Sequence, residues 1–148
     1  MLFAGEFEGR VDSRRRIAVP AVFAEALSGD VVVARGFERC VAVYSAEGSE
    51  RVAAEIGEMP ITNAESRRLA RFIFASAFEQ QPDRQGRIEQ PKSVLSYANI
   101  EQDVTVIGTG DSVEIWDRAS WKAELGELQT QVTRGTDTAN AQGERPAA

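Results

Sequence analysis

The chain repeats itself once, and this internal duplication constrains the fold more than any other feature of the sequence. Phe7-Glu8 and Phe78-Glu79 begin two matching segments that lie 71 positions apart. At the same spacing, four residues of the first copy recur in the second: Asp12, Arg16, Ile17 and Pro20 as Asp83, Arg87, Ile88 and Pro91. Segments 30–33 and 41–44 recur as 103–106 and 113–116. A series of matches in one order predicts two similar structural units.

Each copy predicts the same small β-rich unit. A strand ends at an Asp-x-x-x-Arg loop, and a short strand follows, Ile17-Ala18-Val19 or Ile88-Glu89-Gln90. Proline then opens a short helix, at about 20–27 and 91–97, because its missing N–H costs nothing at the first helical position. Two strands complete each unit, near 31–34 and 41–44 and again near 104–107 and 113–116. Their turns contain Gly36 and Gly110-Asp111, which tolerate positive φ.

Two helices are predicted between the copies, and these set the domain boundaries. The first spans about 47–58, and the second runs from a capping box, Thr62-x-x-Glu65, to about Ala77. We therefore expect a first repeat at 1–46, a helical linker at 47–77, and a second repeat at 78–128 that ends in a helix near 118–128. The tail 129–148 is rich in Thr, Gln, Gly and Ala and has almost no large apolar residues, so we expect it to be disordered.

The composition argues against an enzyme and against a membrane protein. The chain has no histidine, the commonest general base and metal ligand, and no glycine-rich phosphate loop. Its one cysteine, Cys40, excludes an intramolecular disulfide and a cysteine-rich metal site, and we expect it to be buried. No apolar stretch approaches the roughly 20 residues that span a bilayer, and the N-terminus lacks a secretory signal. We expect a cytoplasmic protein with no catalytic activity, cofactor, metal, small-molecule substrate or membrane partner.

The charge distribution leaves room for a nucleic-acid partner. The net charge is −6, whereas nucleic-acid-binding domains are usually basic. Residues 1–46, however, carry six acidic and six basic side chains, and the run Arg14-Arg15-Arg16 is locally strongly positive. The acidic excess therefore lies outside the first repeat.

The candidate site is the pair of Asp-x-x-x-Arg loops, residues 12–16 and 83–87. Asp12 and Asp83 are expected to support their loops by accepting backbone N–H bonds and pairing bidentately with the arginine four positions on. The alternative to a functional loop is that each pair only ties its own turn. Arg16 and Arg87 are expected to contact DNA, because a guanine edge offers two acceptors to one guanidinium. Two neighbours, Arg14 and Arg15, are either solvated or contact phosphates.

Two further groups of residues have less specific interpretations. Arg67, Arg68 and Arg71 form a basic cluster on the middle helix. This cluster is expected to be solvated, to pair with glutamates or to pair across a subunit interface, and DNA contact is the remaining alternative. The apolar run Phe72-Ile73-Phe74 is expected in the core together with Trp116, with part of the run packing against another subunit.

The motifs together resemble the MraZ family, bacterial regulators associated with the division and cell-wall gene cluster. The resemblance covers residues 1–125. It is carried by Gly5-Glu6-Phe7-Glu8…Val11-Asp12…Arg16-Ile17-x-Val19-Pro20, Arg67-Arg68-x-x-Arg71-Phe72-x-Phe74-x-Ser76-Ala77, Asp83-x-x-Gly86-Arg87-Ile88 and Val106-Ile107-Gly108…Val113-Glu114-Ile115-Trp116.

The resemblance implies both a fold and a function. The fold is α+β, mainly β, an AbrB/SpoVT-like swapped-hairpin fold (double-split β-barrel-like) made of two pseudo-symmetric repeats. The function is sequence-specific binding of double-stranded DNA by a ring-shaped, octamer-like homo-oligomer in the cytoplasm or nucleoid. The family's DNA-binding role carries over to Arg16 and Arg87, and less directly to Arg14 and Arg15.

The implied regulator acts, usually as a repressor, at short direct repeats upstream of its own promoter. Repeats about one helical turn apart, near 10 bp, would present the same groove face to successive subunits. Two alternatives remain: an AbrB-type antitoxin-like repressor with another target, and an oligomeric scaffold that binds a protein partner.

The sequence departs from the family pattern in each loop. The family usually has glycine before the motif arginine; Gly86 keeps it and is expected to support the second loop, but the first loop has Arg15. If the glycine serves a positive-φ turn, arginine there costs on the order of 1 kcal/mol, unless the first loop takes another conformation. Glu89-Gln90 replaces apolar residues, which predicts a less regular second half.

Overall fold

The computed structural model describes the backbone of residues 2–143 and the side chains of residues 2–135. We number the elements in chain order. They are β1 (Glu6–Arg10), β2 (Arg16–Ala18), α1 (Ala21–Ala24), β3 (Val31–Arg35), β4 (Val41–Ser45), α2 (Ala46–Gly57), α3 (Ala64–Phe74), β5 (Phe78–Gln80), β6 (Arg87–Glu89), α4 (Lys92–Tyr97), β7 (Asp103–Gly108), β8 (Val113–Asp117) and α5 (Arg118–Gly143).

The two copies exchange strands within one antiparallel sheet. Its order is β1-β7-β8-β4-β3-β5, and β2 and β6 form a separate two-stranded ribbon. The first copy's β1 pairs with the second copy's β7, and the second copy's β5 pairs with the first copy's β3. This exchange is the predicted swapped-hairpin arrangement, and it confirms the α+β, mainly β, AbrB-like fold.

Equivalent residues of the two copies face each other in the ribbon and between β4 and β8. In the ribbon, Ile17 lies opposite Ile88, its counterpart 71 positions later. In the sheet, β4 and β8 are neighbours, and Ala42 lies opposite its counterpart Glu114. Residues on either side of these pairs match symmetrically, so a pseudo-two-fold axis relates the copies and passes through the ribbon.

The core is built from the same positions in both copies. Alternate residues of the central strands are buried because side chains in a strand point to opposite faces in turn. The ribbon and the short helices contribute the rest. The buried set includes Ile17, Phe23, Leu27, Val31, Val33, Val41, Val43 and their partners Ile88, Val94, Ala98, Val104, Val106, Val113 and Ile115. The ribbon that carries the candidate loops is therefore anchored in the core through Ile17 and Ile88.

Prolines precede the short helices but do not lie inside them. Pro20 and Pro91 occupy the N-cap positions with ψ of 140° and 144°, an extended conformation that proline adopts readily. Helix α1 also ends at Ala24, before the predicted end at residue 27. Beyond it, the Ser28 hydroxyl donates to the Glu25 carbonyl at 2.8 Å, which favours a turn.

Helix α3, the second of the two helices predicted between the copies, also begins and ends away from its predicted limits. Its N-cap is Asn63, whose side chain accepts from the Glu65 N–H at 2.9 Å, instead of the predicted Thr62. Asparagine is the better N-cap of the two. The helix ends at Phe74 because Ser76 leaves it to bond the β3 backbone, accepting from the Arg35 N–H at 2.9 Å.

The predicted disordered tail needs correction for residues 129–143. Helix α5 extends to Gly143, well past the predicted end near 128, while residues 144–148 lie outside the described part. The scarcity of apolar residues excludes a core but does not exclude a helix, and segment 129–143 contains no proline that would break one. Along the described helices, none is long and apolar enough to cross a membrane.

Candidate nucleic-acid interface

The two Asp-x-x-x-Arg loops lie side by side at the end of the β2–β6 ribbon. Beyond the strand pairing, the Val19 N–H donates to the Gly86 carbonyl at 2.9 Å, and the Gln90 N–H donates to the Arg15 carbonyl at 2.7 Å. Each loop thus accepts a hydrogen bond from the chain segment that follows the other loop. We call residues 12–16 and 83–87 together the twin loop.

Asp12 builds the first loop. Its Oδ1 accepts from the backbone N–H of Arg14 at 2.8 Å and of Arg16 at 2.9 Å. Its Oδ2 accepts from Nε of Arg16 at 2.9 Å. The aspartate therefore holds both the turn and the arginine, but only one carboxylate oxygen binds the guanidinium, so the pair is not the bidentate one predicted.

Asp83 builds the second loop in the same way. Its Oδ1 accepts from the backbone N–H of Gln85 and of Arg87, both at 2.9 Å, and its Oδ2 accepts from Nε of Arg87 at 2.8 Å. The two loops therefore share one pattern of backbone hydrogen bonding, although only their aspartate and their last arginine are identical.

The four charged residues of the motifs also pair across the pseudo-two-fold axis. Arg16 Nη1 lies 3.5 Å from Asp83 Oδ2, and Arg87 Nη1 lies 3.9 Å from Asp12 Oδ2. All four side chains are between 24% and 32% exposed. This cluster joins the two loops, and it leaves Nη2 as the one guanidinium nitrogen of each arginine without a contact among the described residues.

Hydrogen bonding favours the charged form of both aspartates. The backbone N–H of Arg16 is the main cause that lowers the pKa of Asp12 below 3.8, with further lowering by Arg14 and by the Arg16 side chain, while burial opposes it. The backbone N–H of Arg87 lowers the pKa of Asp83 in the same way. Both carboxylates are therefore ionised at neutral pH, and both arginines keep their partners.

The arginine that replaces glycine in the first loop adopts the glycine conformation. Arg15 has a φ of 60°, and its counterpart Gly86 has a φ of 72°. Of the two alternatives, a positive-φ arginine is therefore correct and a different conformation of the first loop is not. Arg15 is held by donating from Nε to the Gln90 carbonyl at 3.3 Å and by an ion pair with Glu89 at 3.6 Å. These contacts offset part of the backbone strain.

The second half is as regular as the first, contrary to the expectation from Glu89-Gln90. Strand β6 has the same three-residue length as β2 and pairs with it throughout. Gln90 is fully buried, while Glu89 lies at the exposed end of the strand and binds Arg15. Glu89 is accommodated because it faces solvent and an arginine, whereas Oε1 of the buried Gln90 has no hydrogen-bond partner among the described residues.

Gly86→Ala should lower the free energy of unfolding by about 1 kcal/mol, the cost of a side chain in the left-handed region. No atom lies within 4 Å of the position that a Cβ would take, so the cost is conformational and not steric. Urea unfolding at fixed protein concentration measures it. Gly57→Ala is the control, because Gly57 ends helix α2 with equally open surroundings and no positive φ. Equal stability of Gly86→Ala and wild type would mean that the loop relaxes away from this turn.

The twin loop presents three further arginines to solvent. Arg14 and Arg84 are exposed, and their guanidinium groups make no hydrogen bond or ion pair with the described side chains. The Arg15 side chain is 40% exposed. Arg84 was not predicted from the sequence. The predicted contacts were limited to the run Arg14-Arg15-Arg16 and to the arginine that ends the second motif. The position of Arg84 directly after the motif aspartate, in the same loop, was the available signal.

The other predicted residues lie outside the twin loop. Arg67 donates to the Ile61 carbonyl at 2.8 Å, and Arg68 pairs with Glu65 at 3.1 Å, which agrees with a solvated, ion-paired cluster. The guanidinium of Arg71 has no partner among the described side chains. Cys40 is fully buried, as predicted, and this burial raises the pKa of its thiol well above the ordinary value.

The apolar run of α3 is only partly in the core. Ile73 is buried, and Trp116 is buried as predicted. Phe72 is half-buried and stacks on the exposed Phe37 ring at 6.2 Å. Phe74 is 45% exposed, so the core prediction does not hold for it.

Comparison with known proteins identifies the family. A family model described as "MraZ protein, putative antitoxin-like" matches residues 2–72 and again residues 73–142, which reproduces the internal duplication. The chain is 40% identical over 128 residues to the transcriptional regulator MraZ of Micrococcus luteus, covering 86% of this chain and 90% of that one. It is 39% identical to that of Salinispora arenicola over the same shares. Identity to that of Acetivibrio thermocellus is 35%, covering 85% and 88%. The chain therefore belongs to the MraZ family, whose members named here are transcriptional regulators.

Proposed function

We propose that the protein is a sequence-specific DNA-binding transcriptional regulator and that the twin loop is its DNA contact. The observation that carries this proposal is the display of Arg14, Arg15 and Arg84 on two loops that the Asp–Arg cluster joins. Arg14 and Arg84, which have no carboxylate partner among the described residues, suit phosphate contacts, which position a protein on DNA; Arg15 is 40% exposed and pairs with Glu89. The relatives' shared name, transcriptional regulator, supports the same function.

Arg16 and Arg87 take a second role in this proposal. Each is oriented by two aspartates and offers Nη2 to a DNA group that approaches the twin loop. A guanidinium already fixed in place loses little conformational freedom on binding, so the cluster preorganises the contact. The aspartates also offset much of the positive charge of these arginines, which leaves the net attraction to phosphates mainly to Arg14 and Arg84.

Self-assembly would help a chain with a net charge of −6 to bind negatively charged DNA. One twin loop makes few contacts, but several loops on one ring act together through effective concentration. The region of α3 supports assembly, because Phe74 of this helix is 45% exposed and Ile61, which precedes the helix, is 82% exposed. Arg71 of α3 is exposed, and its guanidinium has no partner among the described side chains. Aromatic residues and arginine are enriched at protein interfaces. We propose an octamer-like ring that binds direct repeats at its own promoter in the nucleoid and represses the division and cell-wall cluster.

The function is tested with a labelled duplex from the region upstream of the protein's own operon. Wild type should bind it more tightly than a scrambled duplex, and binding should weaken steeply as salt rises. Arg16→Ala should weaken binding at least tenfold, a change of about 1.4 kcal/mol. Arg51→Ala is the matched control, because it removes the same charge from helix α2. Equal binding to both duplexes, or equal binding by Arg16→Ala and wild type, would contradict the proposal.

A further inference from the structure

Arg14 and Gln85 occupy the same place in the two halves of the twin loop. They are 71 positions apart, and each donates its backbone N–H to Oδ1 of its motif aspartate, at 2.8 Å for Arg14 and 2.9 Å for Gln85. Each also precedes the residue with positive φ, Arg15 or Gly86. The backbone therefore mounts the two different side chains in equivalent positions.

Both side chains are available to a ligand. Arg14 and Gln85 are exposed, and neither side chain makes a hydrogen bond or ion pair with the described residues. The pseudo-two-fold axis relates the two positions, so a duplex lying across the twin loop would meet them in related geometry. Arg16 and Arg87 are less suited to reading bases, since each already binds two aspartates.

The two side chains suit different bases. Arginine forms two hydrogen bonds with O6 and N7 of guanine, and glutamine forms two with N6 and N7 of adenine, both in the major groove. We infer that Arg14 and Gln85 determine specificity: the first loop selects guanine and the second selects adenine. This inference rests on the proposed function, in which the twin loop contacts DNA.

The difference between Arg14 and Gln85 would make the protein bind DNA in one orientation. Two identical side chains related by a two-fold axis would select the same base on opposite strands, which is a palindromic arrangement. Arg14 and Gln85 break that symmetry while the backbone keeps it. An asymmetric half-site can be repeated head to tail, which fits direct repeats better than inverted ones.

Selection from a library of randomised duplexes, followed by sequencing, tests the inference without a known operator. Wild type should enrich a motif with guanine at one position and adenine at another. Gln85→Arg should convert the adenine preference to guanine, and Arg14→Gln should convert the guanine preference to adenine. Each conversion should change the relative affinity for the two bases by about 5- to 150-fold, the range for a good bidentate pair.

Control variants and salt titrations separate base reading from the alternatives. Gln85→Ala should lose the adenine preference without gaining one for guanine. If the substitutions leave the base preferences unchanged while wild type still binds duplex DNA, the inference fails and the proposed function stands. The inference also fails if Gln85→Arg only strengthens binding to all sequences and steepens the salt dependence by about 0.9, as one more phosphate contact would. If wild type enriches no sequence and binds no duplex, the proposed function fails as well.

Discussion

Phe23→Ala should lower the free energy of unfolding by about 3–5 kcal/mol, the usual cost of truncating a buried phenylalanine. Phe23 is 2% exposed, and its ring meets those of Phe3 and Phe7 edge to face at 5.5 and 5.4 Å. Helix α1 has only four residues, too few to be stable alone, so its side-chain packing must hold it. Phe7 belongs to β1, which pairs with the other copy. Loss of the Phe23 ring therefore loosens the strand exchange as well as the helix.

Urea unfolding, followed by tryptophan fluorescence at one protein concentration, measures this loss. Val22→Ala is the matched control, because Val22 is the preceding residue of the same helix and is 61% exposed. We expect that control to change stability by no more than about 0.5 kcal/mol. Similar losses for the two variants would mean that α1 does not pack through Phe23.

Reversing two charges on the twin loop should abolish tight DNA binding. Arg14→Glu with Arg84→Glu replaces two unpaired, exposed cations by anions. A hydrogen bond to a charged group contributes about 1.5–3 kcal/mol, so two lost contacts predict a roughly 10²- to 10⁴-fold weaker complex. Several copies acting together would enlarge the effect. The melting temperature should be unchanged, because neither side chain has an intramolecular partner among the described residues.

Fluorescence anisotropy with the upstream duplex at several salt concentrations measures the effect. Arg51→Glu with Arg134→Glu changes the net charge equally and leaves the twin loop intact, so it is the control. An equal loss in the control would point to a general charge effect. Retained binding by the twin-loop variant would exclude this surface as the DNA contact.

The strands were more predictable from the sequence than the helix ends. The central strands lie within one residue of their predicted limits because they are rich in β-branched and aromatic residues, which favour strands. Helix ends depend on single hydrogen bonds, such as that from Glu65 to Asn63, which a periodic pattern does not reveal. Helix α5 was predicted too short because a low apolar content argues against a core but does not by itself exclude a helix, and no proline interrupts residues 118–143.

The site was predictable within each loop but not between loops. Asp12 with Arg16 is a local pair four positions apart, and the repeat of that spacing in the second copy drew attention to both. The contact from Arg16 to Asp83 depends on the β2–β6 pairing, which joins residues far apart in sequence. The positive φ of Arg15 was signalled only by its glycine counterpart, and its partner Glu89 comes from the other copy.

The exchange of strands between the copies also sets the order in which a newly made chain can fold. Phe7 of β1 pairs with Val106 of β7, about 100 positions later, so the first strand has no partner when it leaves the ribosome. At about 5–20 residues per second, it waits roughly 5–20 s for that partner to be synthesised. The β3–β4 hairpin, in contrast, is complete within the first repeat. This hairpin is therefore the first part of the sheet that can pair during synthesis, and the sheet can close only after β7 and β8 have been translated.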